Sequence, residues 1–552
     1  MPTTRFLVSV CAAAVGASFQ FYSLGVVNPA QTIIETWINQ TYATRNGNAG
    51  LSQFGITVFF SFLTSCICLG ALAGALIMRP IAERLGRRNG LITLGGICVV
   101  AGVLEVSAKV AKSPELLIIG RFMLGMCMGL SSGLVPMYLM EISPVRYRGA
   151  ASTAHQIVVA FSDWFSLFLA LPFILGSEQL WPLSFAFASV PALLLLIVLP
   201  FMPESPRFLL IHRHKRNAAF KAVKALVGST EAKQVYESLL REAVIASTAT
   251  AQGGKTGVAE LFRHRSLRTP LTISLLVMVA QQFTGCAAVF SFSTNMFLQA
   301  NLDDFTAQIS TLAIGIAYFV FVIPSIWLIE AKGRRFLSLF QLSGCFICLG
   351  LLSISIWLQD SYHMQWASYG AIASLVLYMC VYGLGSPIPW MITGELFAQQ
   401  HRASAMTLST MTAWLLAFLV QSLYLPLQNA VGAALSFLPF MAVLLCVIIA
   451  LAILLPETKN REIDDIVREF RLRSRTMSRT LTISYWKGRE PSQQLDWLLE
   501  AEEGEENDED LPHIELNLSG QGPGFSTRYG SMVQANGPTP APDPDGPARF
   551  EI

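Results

Sequence analysis

Long apolar segments alternate with short polar connections along this chain. Each apolar segment is about 20 residues long, the length that a helix needs to cross the hydrocarbon core of a bilayer. Six segments precede a polar stretch at residues 202–268 and six follow it. The pattern predicts an all-α membrane protein with twelve transmembrane helices in two six-helix halves. We place these helices at residues 6–28, 54–78, 91–110, 115–139, 152–175, 182–201, 270–298, 308–329, 336–358, 366–390, 404–426 and 431–455.

The composition also indicates that lipid is the main solvent. Of the 552 residues, 53% are hydrophobic and 13% are charged, whereas soluble proteins carry roughly 25% charged residues. The net charge of +2 does not indicate a nucleic-acid partner. The 10 cysteines fall in apolar segments, which favours neither a disulfide framework nor a metal site. The sequence shows no nucleophile motif and no phosphate loop, so we expect neither an enzyme nor a cofactor.

Lysine and arginine concentrate in one of the two sets of connections. Such basic connections remain on the cytoplasmic side of a membrane, and the stretch at 202–268 belongs to this set. The opposite set holds little beyond Arg45, Lys109 and Lys112. We therefore predict a multi-pass protein of the cell membrane, with both termini and the central stretch in the cytoplasm. The basic set contains Arg79, Arg84, Arg87, Arg88, Arg146, Arg148, Lys332, Arg334, Arg335 and Arg402.

Charged motifs recur at matching positions in the two halves. A duplicated set of six spans is a transporter architecture, in which the solute site lies between the halves near the midplane. The repeat therefore predicts a carrier with a small-molecule substrate. The matching motifs are Gly86–Arg88 with Gly333–Arg335, Pro203-Glu204 with Pro456-Glu457, and Glu141 plus Arg148 with Glu395 plus Arg402.

The repeated charges all fall at predicted cytoplasmic helix ends, where Glu–Arg pairs can hold the two halves closed. Each exposed pair contributes about 0–1 kcal/mol, but a network can shift a two-state equilibrium. Membrane topology and helix capping are the alternative interpretation of the basic residues, although acidic partners at fixed spacing fit it poorly. The predicted cytoplasmic gate consists of Arg87, Arg88, Glu141, Arg148, Glu204, Arg207, Glu330, Arg334, Arg335, Glu395 and Arg402.

The polar parts of the chain differ in pattern. The central stretch has amphipathic helical segments at Ala218–Leu226 and Val235–Ile245. The end of the chain is polar, with an acidic run and then Pro and Gly, which predicts a largely disordered tail open to cytoplasmic partners. We divide the chain into an N-terminal half (1–206), a cytoplasmic helical linker (207–268), a C-terminal half (269–460) and a cytoplasmic tail (461–552).

Five stretches carry distinctive motifs, namely Val135–Pro144, Pro203–Leu210, Gln281-Gln282, Pro387–Trp390 and Pro456–Lys459. At these motifs the sequence resembles the sugar porter branch of the major facilitator superfamily, and it looks most like the animal facilitative glucose transporters. The resemblance covers about residues 6–465. It implies the major facilitator fold, facilitative transport of a hexose and a glycan on Asn39 of the sequon Asn39-Gln40-Thr41.

The resemblance also implies a sugar site. Amide side chains of the fifth and seventh spans would face the sugar, because amides both donate and accept hydrogen bonds. Tryptophans of the tenth and eleventh spans would supply apolar faces for a pyranose ring. The alternative role of an intramembrane glutamine is a hydrogen bond between helices. The implied residues are Gln156, Gln281, Gln282, Trp390 and Trp414.

Several positions depart from the pattern of the glucose transporters. Three asparagines of the seventh, eighth and eleventh spans and two tyrosines of the seventh are replaced. A site built for hydrogen bonds discriminates strongly against ligands that lack them, so these losses change selectivity. Fructose, another polyol and urate are therefore alternatives to glucose. The replacing residues are Ala287, Tyr318, Ala413, Ser291 and Phe292.

The coupling mode is read from the first span and the fifth. Proton-coupled sugar porters carry an aspartate in the first span, whereas this chain has Phe21–Gly25 there, without a carboxylate. This predicts a uniporter, with proton symport as the alternative. Asp163 lies inside the fifth span, two helical turns from Gln156, where a charge costs about 2.5–3.5 kcal/mol. It either binds solute or a proton, or pairs structurally with Arg121 or with neighbouring serines.

A nutrient sensor is the alternative from a different class. Such a receptor would bind sugar and signal through its long tail without moving the sugar across the bilayer. Solute flux in proteoliposomes separates this hypothesis from a carrier.

Overall fold

The chain is helical in the part that its computed structural model describes. The described residues are 3–45, 47, 49–144, 148–229, 231–252, 258–397 and 399–459. Within these ranges the regular structure consists of helices, without strands. The predicted tail at 461–552 lies outside them.

The first half consists of helices α1 (Thr4–Ser18), α2 (Tyr22–Gly25), α3 (Gln31–Arg45), α4 (Gln53–Arg84), α5 (Arg87–Val110), α6 (Pro114–Ile142), α7 (Arg148–Leu169), α8 (Trp181–Ala186) and α9 (Ser189–Ile197). A short 3-10 turn joins α1 to α2, so that together they make one span. α7 ends before the predicted limit at residue 175. The chain turns back there, with the amide of Gly176 bonded to the carbonyl of Leu171 at 2.9 Å.

The linker contains α10 (Pro206–Ile211), α11 (Arg216–Val227), α12 (Ala232–Gln252) and α13 (Val258–Arg263). α11 and α12 include the two helices that the sequence predicts there. α11 is attached to the start of α1, because the hydroxyl of Thr3 donates to the carbonyls of Ala225 and Leu226, each at 2.8 Å.

The second half consists of α14 (Arg265–Phe283), α15 (Cys286–Gln299), α16 (Asp304–Lys332), α17 (Arg334–Tyr362), α18 (Gln365–Gly385), α19 (Ile388–Leu396), α20 (Gln399–Val431) and α21 (Leu438–Leu454). Two of its spans are interrupted. Gly285 separates α14 from α15 with a φ of +80°, a conformation that glycine adopts without steric cost. Pro387 separates α18 from α19, because proline has no amide hydrogen to continue a helix.

The predicted spans are all present as helices. Of the described segments, 10 are at least 18 residues long and apolar enough to cross a membrane. α21 is equally apolar but shorter, with 17 residues, and α7 is more polar because it carries His155, Gln156 and Asp163. These two complete the twelve, so the predicted fold class is confirmed.

Close contact between α4 and α6 forms part of the core of the first half. A Cβ atom on Gly70 would lie 2.0 Å from the carbonyl oxygen of Phe122, and one on Gly125 would lie 2.0 Å from that of Ile67. Small residues let membrane helices approach this closely and gain dispersion energy. A larger side chain at either glycine would force the two helices apart.

The two ends of the bundle differ in charge. α5 and α17 begin at one end, called the basic end here because it carries Arg87, Arg88, Arg334 and Arg335. α4 and α16 also finish there, so the starts of α4 and α16 lie at the opposite end.

Hydrogen bonds near the opposite end join the two halves. Asn28, which follows α2, donates to the carbonyl of Phe290 at 2.8 Å and to the hydroxyl of Ser293 at 2.7 Å. It also accepts from the amide of Thr294 at 3.0 Å. All three partners belong to α15, so one asparagine holds both halves together at this end.

Candidate functional site

At the basic end of the first half, Glu204 caps α5. Its Oε1 atom accepts hydrogen bonds from the amides of Arg87 at 3.1 Å and Arg88 at 2.9 Å. The first amides of a helix have no carbonyl partner within it, and a carboxylate there also interacts favourably with the helix dipole. Gly86 permits this approach, since a Cβ on it would lie 2.6 Å from Oε2 of Glu204.

The side chain of Arg87 adds an ion pair to this cap. Its Nη2 atom donates to Oε1 of Glu141 at 3.0 Å, and both side chains are only 9% exposed. The guanidinium also lies over the ring of Phe208 at 5.1 Å, and Ser205 donates its hydroxyl to Glu141. The three motifs that recur in the sequence therefore meet in one cluster.

The second half contains the same cluster. Glu457 accepts from the amides of Arg334 at 2.8 Å and Arg335 at 3.1 Å. Arg334 pairs with Glu395 at 3.1 Å, and the hydroxyl of Thr458 donates to Glu395. The predicted gate omits Glu457 and the two hydroxyl residues, although the repeated Pro-Glu motif, followed by Ser or Thr, was the signal for them.

These described ion pairs join helices within one half, not across the two halves. Arg207 and Arg402 also lie at the basic end, half-buried, and Glu330 is exposed there. Arg148 begins α7, and its side chain lies outside the described part. A gate formed by charges between the halves therefore stays a prediction.

Gln281 takes part in a hydrogen-bond network inside the second half. Its amide donates to the hydroxyl of Tyr382 at 2.7 Å and accepts from Gln341 at 3.1 Å. Tyr382 donates in turn to the sulfur of Cys286 at 3.0 Å. This network connects α14, α15, α17 and α18, which is the interhelical role noted as the alternative for an intramembrane glutamine.

Gln156 lies where the halves face each other. It is half-buried, and its side chain lies close to the hydroxyl of Tyr318 on α16. Gln282, next to Gln281 on α14, is 6% exposed. An amide and a phenol from different halves thus meet where a solute with hydroxyl groups can bond to both.

Aromatic rings form an apolar surface that both halves share. The rings of Trp390 and Trp414 lie 5.9 Å apart, and that of Phe21, in the first half, lies 6.3 Å from Trp414. Trp390 is half-buried, so part of its face is accessible. Such rings offer a flat apolar face that a ring-shaped solute can pack against.

Asp163 is buried on α7, with 4% of its surface exposed. Its predicted structural partners are engaged elsewhere. Arg121 donates to the carbonyl of Leu63 at 2.9 Å, and Ser162 and Ser166 donate to backbone carbonyls at 2.7 Å each.

The sequon residue Asn39 lies on α3, not in a loop. Its Oδ1 atom accepts from the amide of Leu51 at 3.0 Å, and its side chain is half-buried. Glycosylation at this position stays a prediction.

The chain matches the family model described as "Sugar (and other) transporter" over residues 8–470. It is 35% identical over 470 residues to human solute carrier family 2, facilitated glucose transporter member 3, covering 85% of this chain and 92% of that protein. It is 34% identical over 471 residues to member 1 of that family from chicken, covering 85% of this chain and 94% of the other.

Solved structures agree in fold. The proton:xylose symporter XylE bound to 6-bromo-6-deoxy-D-glucose aligns with a TM-score of 0.68 at 20% identity, over 85% of this chain and 99% of that one. XylE from E. coli in a partially occluded inward open conformation aligns with a TM-score of 0.67 at 19% identity, over 82% and 100%. The chain therefore has the major facilitator fold and belongs to the sugar transporter family, whose members are multi-pass membrane transporters and not enzymes.

Proposed function

We propose that this protein is a facilitative transporter, a uniporter, that moves a hexose or a related polar solute by alternating access. The observation that carries the proposal is that Gln156 of the first half lies close to Tyr318 of the second half. The apolar surface of Trp390 and Trp414 adds to it. A solute bound there contacts both halves, so its binding energy can drive them to close around it. The name of the human relative, a facilitated glucose transporter, supports a hexose.

The charged clusters give the basic end a second role in this proposal. We assign this end to the cytoplasm, with both termini and the linker, because basic connections remain there. Glu204 and Glu457 hold the helix ends of their own halves together. Each half can then move as a rigid unit. In this scheme Arg148, Arg207, Glu330 and Arg402 make the contacts between halves when the cytoplasmic end closes.

Uniport is preferred to proton symport because the first span has no acidic residue at Phe21–Gly25. The fold likeness to XylE does not decide this point, since both kinds of carrier share one architecture. The lost asparagines leave fructose and urate as candidate solutes beside glucose.

Solute flux in proteoliposomes tests the proposal. The purified protein is reconstituted and offered labelled glucose, fructose or urate, with and without a pH gradient. We expect saturable downhill flux of a hexose that stops at equal concentrations on both sides. Accumulation driven by the pH gradient would establish symport instead, and binding without flux of any solute would establish a sensor.

A matched pair of substitutions links the flux to the site. Gln156→Leu removes one hydrogen-bonding group from the interface, and we expect it to raise KM about tenfold, the value of one hydrogen bond of about 1.4 kcal/mol. Gln299→Leu changes an exposed glutamine at the end of α15 and should leave KM unchanged. Equal KM values for the two variants would exclude Gln156 from the site.

A further inference from the structure

Asp163 is a buried carboxylate with an atom that nothing in the described structure satisfies. Its side chain is 4% exposed, and Oδ1 has no hydrogen-bond partner among the described residues. The hydroxyl of Ser166, one turn later on the same helix, donates to the backbone carbonyl of Asp163 and not to its carboxylate. An unpaired, ionised carboxylate is costly in such surroundings.

Asp163 lies in a seam where α7 of the first half packs on α16 of the second half. The rings of Phe161 and Phe319 lie 5.7 Å apart, and those of Trp164 and Phe319 lie 6.2 Å apart and nearly parallel, at 16°. A Cβ on Gly315 would lie 2.8 Å from Leu167, so the two helices are in direct contact. When the halves separate at the opposite end, the seam between α7 and α16 must open, and water reaches Asp163.

The titratable groups that face Asp163 from the neighbouring helices are neutral ones. Tyr318 of α16 and Cys286 of α15 lie close enough to interact with it electrostatically. On α2, Tyr22 donates its hydroxyl to the carbonyl of Ser184 at 2.8 Å. In the described residues, no ion pair involves Asp163.

Other charged groups on the packed helices either have partners elsewhere or lie at exposed helix ends, as Arg5 does on α1 and Asp304, Glu330 and Lys332 do on α16. His155, two turns earlier on α7, is bonded to the hydroxyl of Ser18 at 2.7 Å. The charged residues of α6 are held by Arg45, by backbone carbonyls and by Arg87; they are Glu115, Arg121 and Glu141.

We propose that Asp163 is a proton-binding site, and that the seam between α7 and α16 closes only when this site is occupied. In the open seam, water solvates the carboxylate, which is ionised near neutral pH. In the closed seam, no cation or hydrogen-bond donor among the described residues replaces that water. The proton comes from the aqueous phase at the opposite end and forms an O–H bond on the carboxylate, which makes Asp163 neutral before it is enclosed.

Protonation of Asp163 regulates the proposed carrier but does not couple it to a proton gradient. This part of the inference rests on the proposed function. The seam is made of protein side chains, so it closes over Asp163 whether or not solute is bound. The same proton is therefore enclosed in loaded and empty carriers and returns to the side from which it came. Acid at the opposite end raises the transport rate, but solute does not accumulate.

The seam itself is measured first, because this needs no substrate. Acrylamide quenching of Trp164, taken as the difference between the parent and Trp164→Phe, is recorded in lipid nanodiscs from about pH 6 to about pH 8, near the neutral range where water-exposed aspartate is charged. We expect the accessibility of Trp164 to rise with pH. The ratio of open to closed seams should change by up to about tenfold per pH unit, the limit for one proton.

Two substitutions test whether Asp163 causes the pH response of Trp164. Asp163→Asn mimics the protonated side chain, so Trp164 should be shielded at every pH. Asp304→Asn removes an exposed carboxylate from the start of α16 and should keep the parent's pH response. A parent whose quenching does not depend on pH would overturn the proposal, whatever the variants do. So would an Asp163→Asn protein that keeps the pH response.

Flux measurements then separate this inference from the proposed function. Hexose uptake by the parent should rise when the solution at the opposite end is acidified, and uptake by Asp163→Asn should be fast and independent of pH. Uptake against the hexose concentration gradient, driven by the pH gradient, would show that the proton crosses the membrane. It would therefore contradict the return of the proton to the side from which it came. Absence of hexose flux in both proteins, with a normal quenching response, would refute the proposed function and support the proton site.

Discussion

The two Arg–Glu pairs of the basic end occupy matching positions in the two halves but differ in burial, which gives an ordered prediction. Arg87 and Glu141 are each 9% exposed, whereas Arg334 and Glu395 are 18% and 25% exposed. Breaking a buried pair leaves an unpaired charge and costs about 3–5 kcal/mol, whereas an exposed pair contributes about 0–1 kcal/mol. We therefore expect Glu141→Gln to cost about 2–4 kcal/mol and Glu395→Gln about 1–2 kcal/mol, between those limits.

Glutamine is the suitable replacement because it isolates the charge. Its carbonyl oxygen still accepts the hydroxyl of Ser205 or Thr458. Thermal unfolding of the purified protein in nanodiscs compares each variant with the parent at one protein concentration. Double-mutant cycles with Arg87→Gln and Arg334→Gln then give the coupling energy of each pair. Effects that each substitution has outside the pair cancel in such a cycle.

The order of the two coupling energies tests whether burial governs the strength of each pair. A second-half pair that couples as strongly as the first-half pair, or more strongly, would refute burial as the governing factor. Salt provides an independent check, because exposed charges are screened more than buried ones. Raising the ionic strength should reduce the coupling in the second half and change that in the first half less.

Three further substitutions, one of them with a matched control, test other parts of the structure. Gly125→Ala should strongly reduce the yield of folded protein, because its Cβ would lie 2.0 Å from the carbonyl of Ile67. Gly96→Ala, with nothing within 4 Å, should keep the parent's melting temperature. Asn28→Ala removes three hydrogen bonds between the halves, so amide hydrogen exchange in α15 should become faster while that in α5 stays the same. Asn39→Gln should abolish the shift in gel mobility on glycosidase treatment if the sequon is used in eukaryotic cells.

The number of spans and their division into halves could be predicted because both follow from the length of apolar segments. The recurrence of charged motifs could also be predicted from the sequence, but the groups that these charges bind could not. Glu204 and Glu457 bind backbone amides, and a main-chain amide leaves no mark in the sequence. The pattern therefore showed which charges matter and not that they join helices within a half.

The seventh span shows a second limit of sequence reasoning. Gln281 and Gln282 are adjacent, and consecutive side chains of a helix point about 100° apart. Their side chains therefore contact different neighbours, and a sugar-facing role for both stays a prediction. The structure places Gln281 in bonds with Gln341 and Tyr382. Which of two adjacent glutamines turns inward depends on the polar groups of α17 and α18, which lie far away in the sequence.

The position of Tyr318 in the structure changes how the loss of the asparagines is interpreted. In the sequence it counts as a lost amide, yet in the structure its hydroxyl lies near Gln156 and Asp163. A phenol both donates and accepts a hydrogen bond, and its long side chain reaches across the interface where a shorter asparagine would leave space. At the proposed site, a bulkier hydroxyl therefore stands where the glucose transporters have an amide. Its selectivity should follow the size and shape of the solute more than the number of its hydroxyl groups.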